Sequence, residues 1–243
     1  MRVFGRVSYK GTQYQGWQKQ TSAPSVQETI EKELSQILNT PISIQGSGRT
    51  DAGVHAKGQT FHFDVDKEVD LERLRYSLNC LLPEDVYVKS LEKVDDNFHA
   101  RYSAKTKVYQ YNIHFGHRDV FGNDLEATIP QPCDLALFKE ALKLFEGKHN
   151  FQNFTSKEED QENFVREIYE INFEESKNRI SITLKGNGFM RYMIRFLIGT
   201  ALAISQGKEN ISFIKENLDD NNERNIVSYK APSEGLYLVD VIY

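Results

Sequence analysis

What most constrains the fold of this chain is an order of elements that occurs twice. The opening "RVFGRVSY" reads as a strand. Ser25 and Glu28 form a capping box ahead of Val26, Ile30, Leu34 and Ile37, a spacing that places apolar side chains on one helical face. "ISIQGS" reads as a strand, and residues 58–65 as another. Asp70 caps a helix carrying Leu71, Leu74, Leu78 and Leu81, stopped before Pro83. "VYVKSLEKV" is a further strand. The second half repeats this β-α-β-β-α-β order. "KVYQYNIHF" alternates strictly, and Asp134 caps a helix bearing Leu135, Phe138, Leu142 and Phe145, ended by Gly147. "REIYEINFEES" and "RISITLKG" form a hairpin about Lys177-Asn178. An apolar helix runs from about Phe189 to Gln206, a short helix near residues 211–218 reads as an insertion, and "LYLVDVIY" is the last strand.

Two such units in succession match the split-βαβ motif. The expected fold class is α+β: two ferredoxin-like (split βαβ, RRM-like) halves, each an antiparallel sheet with helices on one face, the sheets meeting at a central cleft. The halves are expected at residues 1–100 and 101–243, with the join near Asp95 to Lys105. The polar stretch from Lys148 to Asn163 reads as a mobile loop and a candidate substrate contact.

No run of about 18 apolar residues occurs, so neither a signal peptide nor a membrane span is expected. The two cysteines, Cys80 and Cys133, stand far apart without ligand-like neighbours. They support neither a structural zinc nor a disulfide framework, and a reducing compartment, the cytoplasm, is the default. The formal net charge is −5, which argues mildly against a nucleic-acid partner, because phosphates attract a basic surface. The charges are unevenly spread, however. Acids gather at Glu158, Glu159, Asp160 and Glu162 and at Asp219, Asp220 and Glu223. Bases gather at Arg101, Lys105 and Lys107 and at Lys185, Arg191 and Arg195. A local basic groove is compatible with an acidic total.

The stretch "GSGRTDAGVHAKGQTFHF", residues 46–63, crowds glycines around Arg49, Thr50 and Asp51. A dinucleotide fingerprint needs a third glycine where Asp51 stands, and a Walker loop needs Lys-Ser or Lys-Thr. Asp51, His55, His62 and Asp64 carry ligand atoms, but nothing in their spacing fixes them on one metal. The plainest reading is a turn in which Asp51 bonds its own backbone. Against it, Arg49 and Asp51 occupy alternate positions and can project together. The chain also holds an arginine, Arg195, in the apolar helix "FMRYMIRFLIGTALAI". A buried guanidinium requires a carboxylate or carbonyls, and Asp51 is a candidate; snorkelling of Arg195 to the surface is the alternative. A paired Asp51 stays ionised and suits nucleophilic attack or stabilisation of a cation.

"GRTDAGVHA" at residues 48–56 resembles the signature of the tRNA pseudouridine synthase A family. "YQGWQKQ", "SVQETIEKEL", "GQTFHF", "FHARYSAKTKVYQY", "GNGFMRYMIR" and "EGLYL" are similar to further family segments in family order, so the resemblance covers essentially the whole chain. It implies isomerisation of uridine to pseudouridine in the anticodon arm of tRNA (positions 38–40), without cofactor or metal, by a homodimer with the tRNA lying across both subunits. It implies that Asp51 is catalytic, that Arg49 displaces the target nucleotide and that Tyr109 is the active-site tyrosine. It further implies that Arg195 pairs with the aspartate and that Leu236 lines the pocket.

The chemistry fits these residue types. The N-glycosidic bond must break, the base must turn, and C5 must bond to C1′; Asp51 can attack C1′ or assist elimination through a glycal. A stacked base cannot react, so it must be extruded, and Tyr109 can stack on the detached uracil. By pattern alone Tyr109 lies with Tyr111, Ile113 and Phe115 on an apolar strand face. Trp17 either supports the cleft floor or staples a loop; His99, Arg101, Lys105 and Lys107 are candidate RNA contacts. A non-catalytic RNA-binding protein of split-βαβ fold is the alternative reading, and an Asp-dependent N-glycosidase acting on a nucleoside is a third.

Overall fold

The computed structural model describes residues 1–21, 23–156, 163–218 and 223–243. In chain order its elements are β1 (Arg2–Tyr9), α1 (Val26–Leu38), β2 (Gln45–Gly46), β3 (His55–Asp64), α2 (Leu71–Leu81) and β4 (Val86–Val94). There follow β5 (Thr106–Phe115), β6 (Ala127–Ile129), α3 (Leu135–Lys143), β7 (Gly147–Asn150), β8 (Val165–Ser176) and β9 (Arg179–Gly186). The last elements are α4 (Met193–Ser205), α5 (Ser212–Leu218) and β10 (Leu236–Ile242). The protein is thus mixed α/β. It divides into two compact units, Met1–Lys105 with Tyr237–Tyr243, and Thr106–Leu236.

In the first unit, β1 lies between β4 and β3, antiparallel to both. Along the far side of β3 run β2, antiparallel, and β10, parallel. Helix α1 begins where Ser25 Oγ accepts the Glu28 N–H (3.3 Å), and α2 where Asp70 Oδ1 accepts that of Arg73 (3.0 Å). Each bond satisfies one of the amides a helix start leaves open. The stripe Ile30 and Leu34 and the pair Leu74 and Leu78 are buried, as are Val3, Val7, Phe61, Phe63 and Val88 of the strands. Each such side chain contributes about 1.5–3 kcal/mol by leaving water.

Three expectations change here. The strand over "ISIQGS" shrinks to Gln45–Gly46, because side chains of α1 take the backbone groups that a ladder would use. Ser35 Oγ accepts from Ile42 N (2.8 Å), Glu31 Oε1 accepts from Ile44 N (2.9 Å), and Gln27 Nε2 donates to Ile44 O (3.1 Å). The sheet is mixed rather than antiparallel, since β10 runs parallel to β3. The division at residue 100 also moves. Residues 101–105 and 237–243 belong with the first unit, held by Lys105 N–H on Ile242 O (2.8 Å) and Tyr243 O–H on Ala100 O (2.8 Å).

In the second unit the strands run β5-β9-β8-β7, antiparallel throughout, with β6 parallel along β5. The hairpin turn falls at Lys177-Asn178 as expected. Helix α4 is buried along nearly its whole length, as expected of a helix apolar all round. It starts at Met193 rather than Phe189, because Tyr192 sits at φ 61° and breaks the helical path. The expected loop from Lys148 to Asn163 is in part ordered core. β7 and a 3₁₀ turn at Gln152–Phe154 occupy its first half, and Phe154 meets Phe145 edge to face at 5.1 Å. Its residues 157–162, with the acids Glu158, Glu159, Asp160 and Glu162, lie outside the described residues, as do Asp219 and Asp220. Among the described residues no helix is long and apolar enough to cross a membrane.

His62 on β3 is 4% exposed, and its Nδ1 accepts the Ala100 N–H (3.2 Å). Burial first, then the nearby charges of His99 and Arg2, push its pKa down to about 4. The folded state therefore holds His62 neutral where the unfolded chain, titrating near 6.5, begins to bind a proton. Its contribution is undiminished above pH 6.5 and is lost progressively as pH falls towards 4. The melting temperature of the wild type should fall more steeply over that interval than that of His62→Asn, followed by circular dichroism; parallel curves would rule this out.

Candidate active site: a turn clamped from beneath

The Arg49-Thr50-Asp51 turn connects β2 to β3, and its three side chains alternate in environment. Arg49 is exposed, Thr50 is buried, and Asp51 is half-buried. The middle residue anchors the other two. Thr50 Oγ1 shares a hydrogen bond with Tyr9 O–H (2.8 Å), and its carbonyl accepts the Trp17 N–H (3.2 Å). Burial raises the Tyr9 pKa well above its usual value, so the phenol stays protonated and the bond persists at every working pH. Beyond Asp51, Gly53 N–H donates to Tyr14 O (3.2 Å) and Val54 N–H to Asp51 O (3.1 Å). At the start of β3, His55 Nδ1 accepts the Gly11 N–H (3.0 Å). Segment 11–17 therefore underlies the turn along its whole length.

The turn is also held from the side of β3. Gln59, fully buried, accepts from Ser47 Oγ (2.7 Å) and from Thr60 N (3.2 Å), and donates from Nε2 to Gly48 O (3.0 Å). Trp17 is 2% exposed and packs between Tyr9 and Phe61, centroids 6.0 and 6.4 Å away. It staples the turn, one of the two roles open to it in the sequence. A side chain at Gly46 would collide with the Trp17 indole. Gly16, at φ 93°, lies against the Thr50 carbonyl oxygen with no room for a Cβ. Tyr9, Gly16 and Gln59 were not singled out in the sequence. Only the "GQ" after the turn hinted at Gln59, a polar residue among buried neighbours of β3.

Of the four residues weighed as metal ligands, His55, His62 and Asp64 are turned to other groups. His55 Nδ1 faces Gly11 N–H and His62 Nδ1 faces Ala100 N–H. Asp64 receives Arg2 through both oxygens, at 2.9 and 2.8 Å. Among the described residues no group of three or more His, Cys, Asp or Glu is placed to hold a metal.

The other expected site residues belong to the second unit. Tyr109, 8% exposed, lies opposite Leu184 in the β5–β9 ladder and meets Phe189 edge to face at 5.2 Å. Arg195 is half-buried; its Nε donates to Ala231 O (2.8 Å) and its own carbonyl accepts from Ala231 N (2.9 Å). Leu236 is buried, and its N–H closes a turn onto Ser233 O (3.0 Å). Segment 231–236 thus gathers Arg195 and Leu236. It is tied to β5 by Tyr111 O–H on Pro232 O (2.8 Å) and Asn112 N–H on Gly235 O (2.8 Å). Of the weaker candidates, His99 orders its own loop, Nδ1 accepting from Arg101 N (3.1 Å), while Arg101 and Lys105 are exposed. Gly16→Ala should cost roughly 1–3 kcal/mol through its strained φ and displace the Thr50 carbonyl. The expected outcome is a lower denaturation midpoint together with reduced turnover; unchanged values would remove Gly16 from the clamp.

Residues 6–103 and 141–243 match the family model described as tRNA pseudouridine synthase. The chain is 39% identical over 241 residues to the tRNA pseudouridine synthase A of Streptococcus uberis, covering 98% of this chain and 96% of that one. It is 37% identical over 244 residues to that of a Geobacillus strain (100% and 98% covered) and 35% identical over 239 residues to that of Staphylococcus aureus (98% and 90%). On the strength of a match that spans both units and contains the clamped turn, the chain belongs to the tRNA pseudouridine synthase family.

Proposed function

We propose that Asp51 is the catalytic carboxylate of this enzyme and that its targets are uridines 38–40 of the tRNA anticodon arm. As a member of its family the chain isomerises uridine to pseudouridine in tRNA. The observation that carries the assignment to Asp51 is the alternation in the turn: a locked Thr50 between an accessible Arg49 and a half-buried Asp51. A carboxylate on a turn fixed at its backbone reaches C1′ with little reorganisation, which is where proximity lowers a barrier. In attack, a bond from Asp51 to C1′ replaces C1′–N1 and breaks when C5 bonds to C1′. In elimination to a glycal, C1′–N1 breaks as the C2′ proton leaves to Asp51, and that proton returns to C2′ when C5 bonds to C1′. In both, C5 then loses its proton and N1 gains one.

The remaining residues take roles their settings support. Arg49 is exposed and fills the gap that an extruded nucleotide leaves. Tyr109 offers an aromatic face to the detached uracil, Leu236 an apolar wall, and Arg195 the positive charge that keeps the carboxylate ionised. The reaction uses no cofactor or metal. The reading includes a cytoplasmic homodimer and two ferredoxin-like halves, the first carrying the catalytic turn and the second completing the site. In the first unit, the strand order β4-β1-β3 with β2 beside β3 supports that description.

The test is pseudouridine mapping by carbodiimide-based sequencing on unmodified tRNA transcripts. Wild type should modify positions 38–40, and Asp51→Asn should lose turnover by at least about 10³-fold while still binding tRNA. Modification by Asp51→Asn at the wild-type rate would overturn the assignment, and release of free uracil would point to a glycosidase. Arg195→Met should raise the pH at which the acidic limb of kcat falls, because a carboxylate without its counter-charge titrates higher. An unmoved limb would remove Arg195 from that role.

A further inference from the structure

Three cations converge on one aromatic ring at the start of α4. Lys230 Nζ lies 4.6 Å from the Tyr192 centroid, Arg191 Cζ 4.9 Å and Arg195 Cζ 5.4 Å. Arg195 is bonded to Ala231, but Arg191 and Lys230 are exposed. Among the described residues the Arg191 side chain donates only to the Tyr192 hydroxyl oxygen (3.2 Å), and neither residue forms an ion pair with a carboxylate. Both heads lie within roughly 5 Å of one centroid, a spacing comparable to the Debye length at physiological salt, so their repulsion is only partly screened. The ring offsets some of that repulsion by cation–π attraction.

The backbone beneath the cluster is strained. Tyr192 sits at φ 61°, ψ 0°. Asn39 at a helix C-cap and Lys177 in a hairpin occupy the same region where turns commonly require it, whereas a bulky aromatic there is an outlier. Such strain persists where the surroundings hold it and clusters at ligand sites. Here it places the ring under three positive charges. The chain as a whole carries a net charge of −5, so its attraction for a polyanion must come from local concentrations of cations such as this one.

We infer that Arg191 and Lys230, mounted on Tyr192, bind a backbone phosphate of the tRNA. The inference rests on the reading of the chain as a tRNA-modifying enzyme and adds to it a phosphate site beside Arg195. Lys230 directly precedes Ala231, whose N–H and C=O both bond to Arg195. A phosphate held there is fixed in register with that arginine, so the cluster grips the strand that carries the target nucleotide. Contacts of this kind position the nucleic acid and carry no sequence information.

The experiment is a salt titration of tRNA binding by the full-length protein, read by fluorescence anisotropy, with steady-state kinetics alongside. Each cation on a phosphate contributes about one unit to the slope of log K against log salt. Arg191→Gln/Lys230→Gln should flatten that slope by about two and raise KM about tenfold at low salt, with a smaller effect on kcat. Arg191→Lys/Lys230→Arg should keep the wild-type slope, and Lys215→Gln, an exposed lysine of α5, should do the same. If the glutamine variant melts like wild type and keeps the wild-type slope and KM while wild type modifies tRNA, the phosphate site is wrong and the enzyme reading stands. If wild type forms no pseudouridine in tRNA and binds it without salt dependence, both fall together.

Discussion

The burial of Thr50 is the constraint on which the Arg49-Thr50-Asp51 turn depends. Its hydroxyl is bonded to a buried phenol, and its carbonyl receives a backbone amide from a separate segment. Moving either neighbour, Arg49 or Asp51, means breaking those bonds or leaving buried polar groups unpaired, at about 1–3 kcal/mol for each. The glycines at 16 and 46 follow from the same constraint, since the supporting segment must come into backbone contact with the turn. Trp17 and Gln59 close the support from two further sides. The chain thus presents a carboxylate whose main chain is fixed at several points. That arrangement suits a reaction whose difficult step is the cleavage and re-formation of bonds at one sugar carbon.

The second unit is built differently. Its proposed contributions come from β5, α4 and segment 231–236, which are joined by hydrogen bonds from Tyr111, Asn112 and Arg195. Tyr111 is fully buried, and that burial, followed by the charge of Glu234, raises its pKa well above the usual value; it remains a donor to Pro232. An arginine in a helix that is otherwise core is stabilised here through a backbone carbonyl. Beside it, the cation cluster on Tyr192 explains how a chain of net negative charge can still draw in a polyanion.

Much of this architecture was legible in the sequence, and the reasons for the misses are physical. Caps at Ser25, Asp70 and Asp134, strict alternation in β5, and the Lys177-Asn178 turn are local signals and appear where they are expected. β2 is shorter than its sequence suggests because side chains of α1 compete for its backbone, a tertiary effect that propensity does not carry. α4 starts later than its apolar pattern suggests, because nothing in "GFMRY" announces that a tyrosine adopts a left-handed backbone. β7 was hidden in a polar stretch whose phenylalanines, Phe151 and Phe154, turn inward. At the site, the motif around Asp51 could be read from its residues and its likeness to a family. The partners that hold it, Tyr9 and Gln59, could not: a tyrosine in a strand and a glutamine after a turn are ordinary until the fold brings them to Thr50 and Gly48.

Segment 11–17 holds the turn bearing Asp51 rigid. Amide hydrogen exchange on the active protein tests it directly, because exchange reports the free energy of local opening. The Trp17 and Gly53 amides, bonded to Thr50 O and Tyr14 O, should be protected to the same order as those of Phe61 and Phe63 in β3. Exchange of Trp17 and Gly53 at the rate of exposed loops, in protein that turns over tRNA normally, would show that the turn is not held by this segment.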